Sequence, residues 1–424
     1  MNRIISSSFL ILMLFFSLKA QATSSLESRT QTFEKVWNTV NEKHFDPAFG
    51  GVDWKKVGEI YQPKIIAAKT DAEFYSLLQD MLSELHQSHF SIIPPNAEIT
   101  PTISGEGEIG IDLQIIEKAL IIIRVNPNSP AERSGLKPGF IIQRINDKTI
   151  AEILTPLEEK LGRRKNTLAQ KEIQRNRILL AAISGKIGSS VKIEALNKKN
   201  KLQVFQIERV AFTGEISPAL AGLPPQRIVF EKKRILKNIG YIRFNMWLLP
   251  QMVKLREAIR NFQDAKGLII DLRGNPGGIG AMTQGLAGLF VTEETSLGTS
   301  KNRFQETQLS VYPQDNPFSG RLIILTDSGT GSASEVFTAG MQGIKRAKVV
   351  GTTSAGAVLP AIIEKLPTGA KFLYATSDYR SPGNILVEGC GVKPDVEVKL
   401  TRKTLLQGRD LQIETAIKEI LKNK

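Results

Sequence analysis

The chain has 424 residues, 41% of them hydrophobic and 23% charged, a composition that forms soluble cores and excludes global disorder, a collagen-like repeat and a many-span membrane protein. At that length two or three domains are expected. Lysine and arginine number 56 against 42 acids, a net charge of +14 that suits nucleic acid, an anionic surface or no specific partner. The single cysteine, Cys390, forbids an intramolecular disulfide, and His44, His86 and His89 are the whole supply of imidazole.

Residues 1–22 read as a secretory leader. Arg3 is the positive start, Phe9 to Leu18 the apolar run, and Ala20-Gln21-Ala22 the small-x-small cleavage pattern, so a mature chain is expected from near Thr23. The apolar run falls short of the roughly 20 residues that span a bilayer. No cysteine follows Ala22 to accept a lipid, and no later segment is apolar for long enough to cross a membrane. Without Arg3 and Lys19 the charge falls to +12. An exported chain, periplasmic or secreted, does not meet genomic nucleic acid, so that reading of the charge loses its weight.

Residues 23–98 are predicted to form an N-terminal helical domain. Phe33, Val36, Trp37 and Val40 repeat at helical spacing, as do Phe74, Leu77, Leu78, Met81, Leu82 and Leu85. Asp71 is the expected N-cap of the second stripe, and both stripes read as core. The helix runs out in Gln87-Ser88-His89-Phe90-Ser91, and Pro94-Pro95 ends the unit.

Residues 99–212 change to strands and turns. Ile109 to Leu113 and Ala119 to Val125 are β-rich. A short helix is expected from Ala131, closed by Gly135 and leading through Lys137-Pro138-Gly139 into the strand Ile141 to Asn146. This succession resembles a PDZ domain of the kind found in exported bacterial proteases. Lys160 to Leu180 reads as a basic helical stretch whose Arg163-Arg164-Lys165 run is a solvated face, and Val191 to Leu196 with Gln203 to Arg209 read as closing strands.

Residues 213–424 alternate strand and helix, which predicts a parallel-rich α/β core. Strands are expected at Gly240 to Phe244, Gly267 to Leu272, Arg321 to Thr326 and Ala347 to Gly351. Helices are expected near Met252 to Phe262, Ala333 to Gly343 and, at the end, Arg409 to Leu421.

Two segments carry chemistry. In Leu325-Thr326-Asp327-Ser328-Gly329-Thr330-Gly331-Ser332-Ala333-Ser334-Glu335 a strand and a glycine-rich turn place the Ser332 hydroxyl at the positive end of a helix. Alone, this is equally a helix start with Ser332 as cap and Glu335 as its capping-box partner. In Ile269-Ile270-Asp271-Leu272-Arg273-Gly274-Asn275-Pro276-Gly277-Gly278 a strand ends in bare backbone N–H groups that suit an oxyanion hole. Alone, this is equally a tight turn.

Together the two resemble the carboxy-terminal processing, or tail-specific, serine proteases and their tricorn-core relatives. Val387-Glu388-Gly389-Cys390-Gly391-Val392-Lys393-Pro394-Asp395 looks like that family's Gly-Val-x-Pro-Asp element. The resemblance implies a ClpP/crotonase-like α/β protease core carrying the helical domain and an inserted PDZ domain. It implies Ser332 as nucleophile, with the N–H of Gly277 or Gly278 and that of Ala333 as oxyanion hole. One branch of the family uses a lysine in a turn after the nucleophile as base; here Ala357 stands at that place, and no lysine lies between Lys348 and Lys365.

The base is then expected to be histidine. In the tricorn-like branch a Ser-His pair before the PDZ domain supplies it, and Ser88-His89 matches. From the residues alone His89 reads as an ordinary helix-end histidine, and His44 as a helix-terminal structural one. Glu388 is the expected acidic member, by the logic of a triad. His86 and His89 have the spacing of a metal pair, but no ligand set completes it, so neither metal nor organic cofactor is expected. Cys390 is expected as a small packed residue beside the site.

In the PDZ part, Gly107, Ile109, Gly110 and Ile111 are the expected loop for a terminal carboxylate, with the adjoining strand edge pairing an extended peptide. The expected function is an exported serine endopeptidase acting on polypeptides, selected through their C-termini. An adaptor protein is left open, and neither nucleic acid nor an integral membrane segment is expected. The rivals are a non-catalytic peptide- or ligand-binding protein on the same fold and a protease using an unidentified lysine.

Overall fold

The computed structural model describes residues 24–95, 106–162, 168–220 and 222–422; the leader and the Arg163-Arg164-Lys165 run lie outside the described residues. The C-terminal half is built on a six-stranded sheet. Its order is Phe230–Ile235, Ile239–Phe244, Gly267–Asp271, Arg321–Thr326, Ala347–Gly351 and Val396–Glu397, and only the first pair is antiparallel. Every residue of Gly267–Asp271 is buried, as a parallel strand covered on both faces must be. Leu268 and Ile270 face the helices Leu249–Arg260, Met282–Ala287 and Ala333–Gly343 through Leu255, Leu286 and Phe337. Ile269 faces the other way, onto Ala416 and Ile420 of the terminal helix Leu411–Leu421. The α/β core is therefore the expected one, and alternation along one strand assigns its two helical layers.

The register of this sheet positions the site. Asp271 pairs with Leu325, so the strands Gly267–Asp271 and Arg321–Thr326 end side by side. Their outgoing loops, which hold Gly277-Gly278 and Ser332, emerge together at the carboxyl ends of parallel strands, where ligands bind in such sheets.

The N-terminal helices are Leu26–Lys43, Trp54–Ile66 and Asp71–Ser83. Thr70, not Asp71, caps the third: its hydroxyl accepts from Glu73 N–H. Asp71 lies one residue inside and instead receives the buried Arg29 guanidinium at 2.7 Å. The helices share one core with a hairpin from far along the chain, Ala361–Lys365 and Lys371–Ala375, through Phe33, Phe74, Leu78, Phe372 and Tyr374. Ser91–Ile93 adds a third strand to that hairpin. The segment carrying Ser88-His89 is thus fixed between two remote parts of the sequence.

Between them lies the β-rich domain, with strands Ile111–Ile116, Ala119–Val125, Ile141–Ile145, Ser190–Leu196 and Leu202–Glu208 in one antiparallel sheet. The short helix Pro130–Ser134 closes at Gly135 in the left-handed region, as expected. The basic stretch is two helices, Ile150–Gly162 and Leu168–Ile183. Ion pairs Glu108–Arg227, Asp112–Arg243 and Arg124–Glu231 tie this domain to the α/β core. The C-terminal segment adds a strap: Leu406 packs into the β-rich domain, and Arg402 donates to Gly139 O, Asn197 O and Asn200 Oδ1.

Phe372→Ala is expected to cost about 3–5 kcal/mol, because it empties a fully buried position. Native-state hydrogen exchange is the check: protection should fall together in Leu26–Lys43 and in Ala361–Lys365. A loss confined to the hairpin would contradict a shared core.

Candidate active site

The strand Arg321–Thr326 leads into a turn stitched to the neighbouring loop. Asp327 Oδ1 accepts Gly274 N–H at 2.8 Å and Gly329 N–H at 2.9 Å, Thr330 Oγ1 donates to Leu272 O, and Gly331 N–H to Asn275 O. Ser332 follows at φ 52°, ψ −122°, a backbone conformation that a residue with a side chain rarely holds without support. It opens the 11-residue helix Ala333–Gly343, whose N-terminal dipole favours negative charge.

The second loop supplies the donors. Gly277 and Gly278 have φ of 101° and 140°. A Cβ on Gly277 would come within 2.5 Å of Ser332 Cβ, and one on Gly278 within 2.3 Å of Trp247 O, so neither position admits a side chain. The sequence reading allows either N–H into an oxyanion hole, and the two differ in their partners. Gly277 N–H is held by the buried Asn275 Oδ1 at 3.0 Å, whereas Gly278 and Ala333 N–H have no acceptor among the described residues. Trp247 locks the loop: it donates N–H to Gly277 O, accepts Ile279 N–H, and sends its indole N–H to Ser334 Oγ at 2.8 Å.

Ser88, His89 and Glu388 come together in one hydrogen-bonded series. Glu388 Oε1 accepts Ser88 N–H at 2.7 Å, Oε2 accepts Ser88 Oγ at 2.9 Å, and Ser88 Oγ lies 2.7 Å from His89 Nδ1. Because the hydroxyl proton goes to the carboxylate, Ser88 Oγ is left to accept from His89 Nδ1–H. That fixes the tautomer and leaves Nε2 as the unprotonated, basic nitrogen. His89 sits at φ 59°. Burial pushes its imidazole down to about 4, and burial pushes the Glu388 carboxyl up against the donors Val358 N–H and Ser88. The ring is therefore neutral at pH 7.

Both halves of the site are fastened to adjacent residues. Ala357 O accepts Ser332 N–H at 2.8 Å, and Val358 N–H donates to Glu388 Oε2 at 3.0 Å. No hydrogen bond joins His89 to Ser332 among the described residues; the imidazole bonds Ser88. The Ala357 position thus acts through its backbone.

Sequence reasoning missed the support behind His89. His44, buried at the end of the first helix, stacks on Phe90 and bonds Gln87 Oε1 at 2.8 Å, one residue before Ser88. Its Nδ1 lies 2.8 Å from Asp46 O and 3.0 Å from Asp46 N, so both ring nitrogens are engaged. The aromatic residues flanking His44 were the available signal. Cys390 corrects an expectation: it is exposed, not packed. Gly389 and Gly391, both left-handed, turn the loop so that the residue between them faces a cavity of about 800 Å³ against Gln114 and Ile115 of the β-rich domain.

In that domain Ile109 and Ile111 point into the core, and the Ile109 and Gly110 carbonyls already accept Ala131 and Asn126 N–H. Gly107 pairs with Gly185 in a two-stranded ribbon. Ile111–Ile116 is an outer strand of its sheet, with the helix Leu168–Ile183 packed beside it.

Residues 238–398 match Peptidase family S41, residues 26–83 the tricorn protease C1 domain, and residues 98–167 the PDZ domain. The chain is 26% identical over 394 residues to a carboxyl-terminal-processing protease of Synechocystis sp., covering 90% of this chain and 84% of that protein. Its fold is similar to that of the photosystem II D1 C-terminal processing protease, with a TM-score of 0.58 at 19% identity over 90% of this chain and 98% of that one. It is similar also to the tricorn protease, with a TM-score of 0.52 at 19% identity over 94% of this chain and 37% of that one.

An NMR titration of the three histidines checks the electrostatics. His89 should carry its proton on Nδ1 and remain neutral at pH 5.5, where an ordinary imidazole of pKa about 6.5 is mostly charged. A His89 midpoint near 6.5 would contradict the desolvated ring described here.

Proposed function

We propose that this chain, a serine-type peptidase that belongs to Peptidase family S41 with the carboxyl-terminal-processing proteases, is exported and hydrolyses polypeptides with a Ser332–His89 pair. The observation that carries the reading is the Glu388–Ser88–His89 series, fastened at Val358, next to the Ala357 carbonyl that holds Ser332 N–H. Ser332 Oγ attacks the scissile carbonyl while His89 Nε2 takes its proton. The Ser88 hydroxyl then bridges the imidazolium to the Glu388 carboxylate. The oxyanion settles between Gly278 N–H and Ala333 N–H, with the helix dipole behind it. His89 passes the proton to the leaving amine, and water repeats the sequence on the acyl-enzyme.

Substrates are selected, in this reading, by the PDZ domain. The loop Gly107–Ile111 and the outer edge of Ile111–Ile116 receive an extended C-terminal segment, which adds as a strand. Ile109 and Ile111 contribute backbone only, since their side chains are buried. The cavity beside Cys390 lies between that edge strand and the loop bearing Glu388. A lysine base lacks support: Lys348, the last lysine before the Ala357 turn, pairs with Glu419.

A serine-reactive fluorophosphonate and fluorescent casein test this together. Ser332→Ala should abolish both labelling and turnover, and His89→Ala should lower turnover about 10³-fold or more. Ser88→Ala should be milder, about 10- to 100-fold, because it leaves the base but not its orientation. Undiminished labelling of Ser332→Ala would rule out the nucleophile; undiminished turnover of His89→Ala would rule out the base.

A further inference from the structure

Glu335 has more to do than the helix cap its sequence position suggests. It does reach back to the start of its helix, where Oε2 accepts Ser332 N–H at 3.2 Å. But the side chain is fully buried, and it also collects three donors from a second segment: Ser354 Oγ at 2.5 Å and Gly356 N–H at 2.7 Å on Oε1, and Ala357 N–H at 2.9 Å on Oε2. A capping box needs only the first of these bonds. The other three grip residues 354–357.

That segment is held from its far side by the loop bearing Glu388. Ser354 Oγ accepts Val392 N–H at 2.6 Å, Gly356 O accepts Gly389 N–H at 2.9 Å, and Val358 N–H donates to Glu388 itself. Residues 354–358 therefore form a bridge with the nucleophile at one bank and the base-supporting carboxylate at the other. Among the described residues, Glu335 is the single side chain bonded to both the nucleophile's backbone and the bridge.

We infer that Glu335 is a positioning residue that sets the geometry of Ser332 against the Glu388–Ser88–His89 series by clamping the 354–358 segment between them. The inference rests on the reading of Ser332 and His89 given above. The clamp is built for a carboxylate: burial pushes the Glu335 carboxyl up to about 7, and the hydrogen bonds from Ser354, Ala357, Gly356 and Ser332 oppose that rise. All four partners present a hydrogen, and a carboxylate has acceptor sites for four. A glutamine of the same size has one carbonyl oxygen and turns an NH2 group toward N–H groups that need an acceptor. The segment must then shift, and a displacement of about 1 Å between reacting groups costs on the order of 100-fold in rate.

The test uses the whole chain, with fluorescent casein and fluorophosphonate as probes and thermal unfolding as the check on folding. Glu335→Gln should lower kcat and the labelling rate about 10- to 100-fold while KM stays within about twofold, the pattern of a group that acts at the transition state. Ser354→Ala, which removes one strut of the clamp, should move kcat in the same direction by about 3- to 10-fold with KM unchanged. A folded Glu335→Gln protein with wild-type kcat, or one changed only in KM, overturns the inference. If that variant does not fold, wild-type kcat in Ser354→Ala overturns it. Turnover that survives in Ser332→Ala overturns the nucleophile assignment and this inference with it; turnover lost there but intact in Glu335→Gln overturns the inference alone.

Discussion

Parallel strands that stop together deliver their outgoing loops to the same place, and the site depends on that constraint. Asp271 and Leu325 are register partners, so a glycine turn and the turn that bears Ser332, far apart in sequence, leave the sheet as neighbours. The loops are then stitched by Asp327, Thr330 and Asn275, each side chain spanning to backbone of the other loop or of the adjoining strand. Under that stitching sits a charged network. Burial pushes the Asp271 carboxyl up, but Arg273, Arg243 and Tyr241 outweigh it and hold it at about 2. Arg273 extends the network to Asp410 and Gln412 at the start of the terminal helix. Breaking one member would leave a buried charge without its partner, which typically costs about 3–5 kcal/mol.

The second half of the site comes from outside the sheet. Ser88-His89 follows the third N-terminal helix and is pinned by a hairpin from residues 361–375, by His44 through Gln87, and by Glu388. His89 is thus oriented by elements from both ends of the chain. Ser332 and His89 both hold positive φ, so each functional side chain is aimed by a backbone conformation that its surroundings must enforce. The segment 354–358 is where the halves meet, and it works through N–H and C=O groups. An alanine suffices at 357 because its backbone is the part that bonds.

Much of this was legible in the residues. Strand Ala347–Gly351 and helix Ala333–Gly343 have the bounds that periodicity predicts, because buried strands and capped amphipathic helices write their spacing plainly. The pairing of the two glycine motifs and the match of Ser88-His89 came through resemblance; no local pattern links residues so far apart. What stayed hidden was tertiary. Nothing local says that Gly277 N–H is taken by Asn275 Oδ1, that Cys390 faces outward between two left-handed glycines, or that a hairpin past residue 360 completes the N-terminal core. Thr70 displaced Asp71 as cap because the aspartate had a better partner in Arg29, a residue from another helix.

A crystal structure of the phosphonylated protein tests the central claim most directly, since the phosphoryl oxygen marks where negative charge develops. The account predicts the adduct on Ser332 Oγ, its oxygen about 2.7–3.1 Å from both Gly278 N and Ala333 N, and His89 Nε2 turned toward the adduct with Ser88 and Glu388 behind it. An adduct on Ser332 with His89 facing away, or with a lysine amine in its place, would contradict it.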